Sequence, residues 1–246
     1  MGILVTVAYD GTAYKGWQEQ AVGTPTVFSV LKGAVEGVMG CQVRMLGASR
    51  TDAGVHALGQ RAHILPSAPC PIPTEKLGAV LNTRLPDDIA VTAVGIVPDS
   101  FHPIADAISK TYSYKILNTP LRNPLISRYS VHETTPLLVA AMEEACQYFV
   151  GEHDFAAFCA TGSPVSSTIR RVNSLELSVS GGLIDMQING NGFLYNMVRI
   201  IAGTLVGVGM GKIRPDGICD IIASKKREKA GKTMPAHGLT LVNIFY

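Results

Sequence analysis

Val43-Arg-Met-Leu-Gly-Ala-Ser-Arg50-Thr-Asp52-Ala-Gly-Val-His56-Ala-Leu-Gly-Gln60-Arg-Ala-His-Ile-Leu65 sets two strand-like segments around a short, glycine-flanked turn. The apolar run Val43 to Leu46 and the alternating run Ala57 to Leu65 predict two strands joined by a tight loop. Asp52 is then displayed at a strand end, on backbone whose glycines permit tight turning, where a substrate can meet it. An Asp beside Gly is commonly a turn former whose carboxylate only satisfies nearby backbone N–H groups. Arg50 shifts that balance. Residues two apart in extended or turning chain project to one side, and a guanidinium there would hold Asp52 ionised below the ordinary value of about 3.9. An aspartate kept charged suits a nucleophile rather than a general acid. His56 has no second His, Cys or carboxylate at ligand spacing, so it reads as a packing or hydrogen-bonding residue and not as a metal ligand.

Working outward, Ile3 to Tyr9 alternates as a first strand and leads through a Gly-rich loop to a helix. Its Val27, Val30, Leu31, Ala34, Val35 and Val38 recur at helical spacing, and Thr24-Pro25 or Thr26 can start it. After the central pair come a helix from about Pro73 to Leu81 and a strand from Ile89 to Val97. The resulting β-α-β-β-α-β order packs as an antiparallel-rich sheet with helices on one face, as in ferredoxin-like (RRM-like) domains. A boundary is expected near Ser100, dividing the chain into an α+β domain, 1–100, with the Asp52 loop, and a second, 101–246. In the second, Ala107 to Leu117 reads as a strand with Lys110, Tyr112, Tyr114 and Ile116 on one face. A helix follows from Thr135-Pro136 to about Val150, then strands around Thr168 to Val179 and Leu183 to Asn189. A long helix carries a stripe of Leu194, Met197, Val198, Ile201 and Leu205, with Tyr195 and Arg199 facing together, and Leu239 to Tyr246 closes the order as a strand.

Composition narrows the class. A chain of 246 residues has ample apolar material for one large or two modest cores. Its longest apolar stretch, near Ile200 to Met210, is far short of the roughly 20 residues that span a bilayer. Met1 to Tyr9 lacks the basic lead and cleavage site of a secretory signal, and although Met1-Gly-Ile-Leu-Val-Thr6 fits a myristoylation pattern, its alternation more simply makes a strand. Five scattered cysteines, without a CxxC pair, point to neither a disulfide framework nor a zinc site, and a reducing cytoplasm fits them best. Net charge is only +2, but Arg199 to Lys232 holds eight basic residues against three acidic, a local +5 that could hold phosphates or simply be a solvated helix end. Gly207-Val-Gly-Met-Gly-Lys212 has the spacing of neither a Walker loop nor G-x-G-x-x-G and reads as a helix end and turn.

Several motifs in order carry a resemblance over nearly the whole chain: Tyr9-Asp-Gly-Thr-Ala-Tyr-Lys-Gly-Trp17-Gln18-Glu-Gln20, Ser49-Arg-Thr-Asp52-Ala-Gly-Val-His56, Lys110-Thr-Tyr112-Ser-Tyr114, Asn196-Met-Val-Arg199 with Gly203 and Gly207-Val-Gly209, and Gly238-Leu-Thr-Leu. Together they resemble the tRNA pseudouridine synthase A family. The resemblance implies that Asp52 is catalytic, that Tyr112 lies over the target base, and that Arg50 and Arg199 are cleft arginines binding the substrate. It also implies a cytoplasmic homodimer without cofactor or metal, two α+β domains with sheets joined around a central basic cleft, and uridines 38 to 40 of the tRNA anticodon stem-loop as targets. Isomerising uridine breaks the bond from ribose C1′ to N1, turns the base, and joins C1′ to C5 with no net redox change. Asp52 could attack C1′, add to C6, or remove the 2′ proton, and each route requires an ionised carboxylate. One departure stands out: Pro103-Ile104-Ala105 occupies the place where the family commonly has an alanine-arginine-aromatic run, and Arg61 could compensate only if it faces the same cleft. Two rivals are a non-catalytic structured-RNA-binding protein, which does not require the Arg50/Asp52 arrangement, and a glycoside hydrolase, for which no second carboxylate is evident.

Overall fold

The computed structural model describes residues 2–21, 23–162 and 165–246 and divides into two compact units, Met1–Ile108 with Thr240–Tyr246, and Ser109–Leu239. Residues 101–108 pack with the first unit because the chain end holds them. Ile108 N–H donates to the Phe245 carbonyl at 2.8 Å, Tyr246 Oη to the Pro103 carbonyl at 3.0 Å, and the Phe101 and Tyr246 rings meet at 5.0 Å.

In the first unit, β1 (Gly2–Tyr9) lies between β3 (His56–Pro66) and β4 (Ile89–Val97), antiparallel to both. The other edge of β3 is shared: β2 (Val43–Gly47) pairs antiparallel with its far end, and β10 (Leu239–Phe245) runs parallel to it at His56 and Ala57. Alternation sends Ile3, Val5, Val7 and Tyr9 to one face, where all four are buried. Two helices cover that face, α1 (Val27–Met39) and α2 (Thr74–Asn82). Phe28 of α1 meets Trp17 edge-on, and Trp17 stacks on Tyr9. Gly78 of α2 lies against Val91 and Val94, the register partners of Val7 and Val5. Of the possible starts for α1, Thr26 is the one used, since its hydroxyl accepts from Ser29 N–H while the Ser29 hydroxyl accepts from Thr26 N–H, a capping box.

In the second unit, β5 (Ser109–Asn118) pairs antiparallel with β9 (Leu183–Gly190), β9 with β8 (Ile169–Ser180), and β8 with β7 (Gly151–Asp154), while the short β6 (Val131–Glu133) runs parallel to the end of β5. Both units are thus α+β with mostly antiparallel sheet. The helix expected from Thr135 begins only as α3 (Val139–Cys146), and Gln147–Phe149 continues as a tight 3-10 turn. The preceding residues are tied elsewhere: Asn118 donates to the Thr135 carbonyl and accepts from Leu137 N–H.

The long helix α4 (Met197–Gly209) departs from the expected one-sided stripe. Apart from Arg199 and Gly207, all its residues are buried, so it is a central helix rather than an amphipathic one. Leu138 N–H of the α3 entry donates to Gly209 O, and a Cβ on Gly209 would come within 2.7 Å of Met142 Sδ. On another side, a strap of residues 226–238 crosses α4 backbone to backbone: a Cβ on Gly203 would lie 1.9 Å from Lys232 O, and one on Gly231 2.4 Å from Gly203 C. Only glycine allows that approach. A last helix, α5 (Gly217–Ser224), precedes the strap. Among the described residues no helix is long and apolar enough to cross a membrane.

Candidate active site

The loop between β2 and β3 is gripped by the segment that follows β1. Trp17 N–H donates to Thr51 O at 3.0 Å, and Tyr9 Oη and Thr51 Oγ1 are hydrogen-bonded at 2.7 Å. Three glycines let the chains touch. A Cβ on Gly11 would lie 2.0 Å from Val55 O, one on Gly16 2.6 Å from Thr51 O, and one on Gly47 2.1 Å from the Trp17 indole nitrogen. Gly16 also has φ of +92°, a conformation that L side chains rarely adopt. From below, buried Gln60 donates to Ser49 O at 2.6 Å and accepts from Ser49 N–H at 3.2 Å, fixing the residue before Arg50. Val55 N–H closes the turn on Asp52 O. The outcome is a clamped backbone presenting a half-buried Asp52 and an exposed Arg50. His56 is buried, with Nδ1 accepting from Gly11 N–H and lying 3.1 Å from Asp10 Oδ1, so it braces the same clamp.

Tyr112 and Arg199 belong to the second unit. Tyr112 on β5 is only 6% exposed, with its ring 5.3 Å from Phe193 in an edge contact, and Phe193 itself lies over Gly190. Lys110 shares its strand face, and burial lowers the Lys110 ammonium to about 8. Tyr114, also on that face, is fully buried and donates to the Pro235 carbonyl at 2.8 Å; burial raises its phenol above the ordinary range. Arg199 stands in the first turn of α4. Its Nε donates to Met234 O at 2.7 Å and one terminal nitrogen to Asn196 Oδ1 at 2.6 Å. Tyr195, expected to share a helix face with Arg199, instead precedes the helix and is half exposed, its carbonyl accepting from Ala160 N–H.

Arg61 and Ile104 have different surroundings. The Arg61 guanidinium donates within the first unit to Thr6 Oγ1 and to Asn243 Oδ1, whereas Ile104 is 51% exposed. Much of the basic segment is also structural. Arg214 pairs with Asp216, Lys225 with Asp154, and Arg227 donates to Ala230 O, Gly231 O and Thr233 Oγ1. Lys212, Lys226, Lys229 and Lys232 are exposed. Sequence reasoning missed Asn196 and Met234 as the groups that orient Arg199. For Asn196 a signal existed, a side-chain acceptor three residues before an arginine at a helix start; the Met234 carbonyl, brought by the strap, left none.

The chain matches the sequence profile of the tRNA pseudouridine synthase family over residues 5–104 and 145–246. It is 48% identical over 244 residues to tRNA pseudouridine synthase A of Thermoanaerobacter sp. (strain X514), covering 99% of both chains. The chain belongs to the tRNA pseudouridine synthase A family. The enzymes of that name from Ruminiclostridium cellulolyticum and Acetivibrio thermocellus are 47% and 42% identical, again over 99% of both chains. Membership makes the chain an isomerase of tRNA modification, and the family profile covers both the Asp52 loop and the Arg199 helix onset.

Proposed function

We propose that this synthase isomerises uridine to pseudouridine at positions 38 to 40 of the tRNA anticodon stem-loop, with Asp52 as the essential carboxylate. The observation that carries the reading is the clamped loop, which spends several backbone contacts and three glycine approaches on a turn that presents an exposed Arg50 and a half-buried Asp52. A turn former needs no such support. The chemistry is balanced within the substrate: the C1′–N1 bond breaks, C1′–C5 forms, the C5 proton leaves, and N1 gains a proton. Asp52 serves it by attacking C1′, adding to C6 or taking the 2′ proton.

The target base must leave its stack, at a cost of a few kcal/mol. Arg50 fills or holds the vacated position, Tyr112 stacks on the loose uracil while it turns, and Arg199 adds positive charge against RNA. Exposed Lys212, Lys226, Lys229 and Lys232 supply further phosphate contacts. The antiparallel order β4-β1-β3-β2 with its two helices supports a ferredoxin-like first domain carrying the catalytic loop. The second domain completes the basic RNA-binding cleft, and the working form is a cytoplasmic homodimer that needs no cofactor.

The test is nucleoside mapping by mass spectrometry of unmodified tRNA incubated with wild type and Asp52→Asn, with tRNA binding measured in parallel. Pseudouridine in the anticodon stem-loop with wild type only, at preserved binding, is expected. Turnover by Asp52→Asn would remove Asp52 from the mechanism, and pseudouridine elsewhere in the tRNA would overturn the site assignment.

A further inference from the structure

Residues 119–130 leave β5 and return to β6, and because those strands pair as far as Asn118 and Glu133 the two ends of the segment lie side by side. That makes it an Ω-loop, a class whose own side chains ordinarily fill its middle. Here the loop is turned inside out. Leu121 is 82% exposed and Leu125 86%, while Ser130 is buried with its hydroxyl donating to Ile126 O at 2.9 Å. The backbone that carries the two leucines is fixed by its own turns. The Thr119 hydroxyl donates to Leu121 O at 2.7 Å, Asn123 Oδ1 accepts from Leu125 N–H at 3.0 Å, and the Ser127 hydroxyl donates to Pro124 O at 3.0 Å.

A third exposed leucine stands beside the loop. Asn118, the last residue of β5, donates to the carbonyls of Glu133 and Thr135 and accepts from Leu137 N–H, and His132 Nε2 donates to Thr119 O at 2.8 Å. These bonds tie the base of the loop to the start of α3, where Leu138 is 64% exposed. Lone exposed leucines are ordinary, whereas a group of them marks an interaction surface. Charge of both signs flanks this group. Arg122 lies exposed between Leu121 and Leu125, and Glu143 and Glu144 are exposed on α3, three and four residues beyond exposed Ala140. Neither Arg122 nor the two glutamates has an ion-pair partner among the described residues.

Aliphatic side chains gain nothing from phosphate, and unpaired bases are held by aromatic or guanidinium stacking, so exposed leucines point to a protein partner. A surface that carries apolar, basic and acidic groups together is self-complementary. A two-fold contact demands that property, because each residue that reaches across is met in return by the same pair. We infer that the 119–130 loop and the start of α3 form the contact between two copies of this chain, leucine against leucine, with Arg122 of one copy facing the acidic side of α3 on the other. The inference rests on the proposed homodimer and names the surface that makes it. A stable interface buries about 800 Å² on each side, more than three leucines expose, so the charged rim belongs to it.

The experiment measures the dimer dissociation constant by analytical ultracentrifugation, with far-UV circular dichroism as the check on folding and tRNA binding followed in parallel. Exposed positions of this kind tolerate substitution without loss of fold. Leu121→Glu/Leu125→Glu is expected to raise the constant at least about 100-fold, and Arg122→Glu about 10-fold because like charges then meet. Adding Glu143→Arg/Glu144→Arg to Arg122→Glu exchanges the two signs and should return the constant to within about threefold of wild type. A wild type that is monomeric at micromolar concentration removes the homodimer reading and the inference with it. A dimer that survives Leu121→Glu/Leu125→Glu leaves the homodimer standing and overturns this surface; if that variant has also lost tRNA affinity, the occupant of the loop is RNA. Exchanged charges that fail to restore the dimer overturn the pairing of Arg122 with α3.

Discussion

The Asp52 loop and the onset of α4 both fix the place of a charged side chain, and they do so by opposite means. In the first unit the backbone is gripped: Gly11, Gly16 and Gly47 admit close neighbours, Trp17 N–H holds Thr51 O, and the side chains of Arg50 and Asp52 extend from a fixed turn. In the second unit the side chain itself is gripped, with Arg199 between Asn196 Oδ1 and Met234 O. The two are vulnerable to different changes. A backbone clamp tolerates loss of a single polar group but not an added methyl, whereas a side-chain clamp fails when one acceptor is removed.

Gly11→Ala tests the first half of that contrast most severely. Its Cβ would lie 2.0 Å from Val55 O and 2.7 Å from Val55 C, both backbone, and Val55 N–H closes the turn on Asp52 O. Overpacking of this kind costs about 3 kcal/mol. Urea denaturation should show that loss, and the single-turnover rate should fall at least about tenfold as Asp52 moves. Near-wild-type stability and rate would mean the loop is not clamped there. Gly203→Ala is the matching test in the second unit. Its Cβ would meet Lys232 O at 1.9 Å, but Lys232 is exposed and lies outside any strand, so its backbone can shift more readily than a loop bound into a sheet and the expected loss is about 2 kcal/mol. Because the strap carries Met234, the rate should fall further than in an equally destabilised core variant.

Which parts of this were legible in the sequence follows from range. The β2-loop-β3 hairpin, α1, β4 and β9 are read from alternation and helical spacing, since one buried face writes the period into the chain. Arg50 and Asp52 stand on the loop between β2 and β3, which the same local pattern marks. Helix α4 lost its expected polar side because the strap, contributed by residues 226–238, buries it, and no period within the helix encodes a distant covering segment. The strands β6 and β7 have too few residues to show a period. Arg61 was legible as an unusual basic residue on a strand, but its partners Thr6 and Asn243 come from strands at both ends of the sequence.

Acid should destabilise the first unit less severely than the glycine substitution does. His63 on β3 is 1% exposed, with the Phe101 ring edge-on at 5.6 Å. Burial lowers its pKa below the ordinary 6.5, assisted by Arg44 and His102 and opposed by Asp99 and the Phe101 backbone. With the folded value below the unfolded one, its contribution is fully present above about pH 6.5 and is lost as pH falls through and below that value. Urea midpoints at pH 8 and 5.5 should therefore drop for wild type and drop less for His63→Leu. Equal pH slopes would mean that His63 does not titrate in this window.

The smallest effect is expected where a side-chain grip in the second unit works against its own backbone. Lys225 ends α5 at φ of +56°, and its Nζ lies 2.8 Å from Asp154 Oδ2, an arrangement that holds the Asp154 carboxyl below its usual range together with the Thr168 hydroxyl. The Lys225 side chain is 61% exposed, so the ion pair contributes only about 0.2–1 kcal/mol, while the left-handed conformation costs a non-glycine residue about 1–2 kcal/mol. Lys225→Gly removes both terms and should sit within about 1 kcal/mol of wild type, on the stabilised side where the strain is larger. Lys225→Ala removes the pair but keeps the strain, so its deficit of about 0.2–1 kcal/mol measures the pair alone. That deficit should shrink in 1 M salt, where screening acts over about 3 Å, whereas the difference between Gly and Ala should not, because backbone strain carries no charge. A Lys225→Gly variant as destabilised as Gly203→Ala would show that this ion pair, exposed as it is, anchors the second unit as firmly as a backbone contact does.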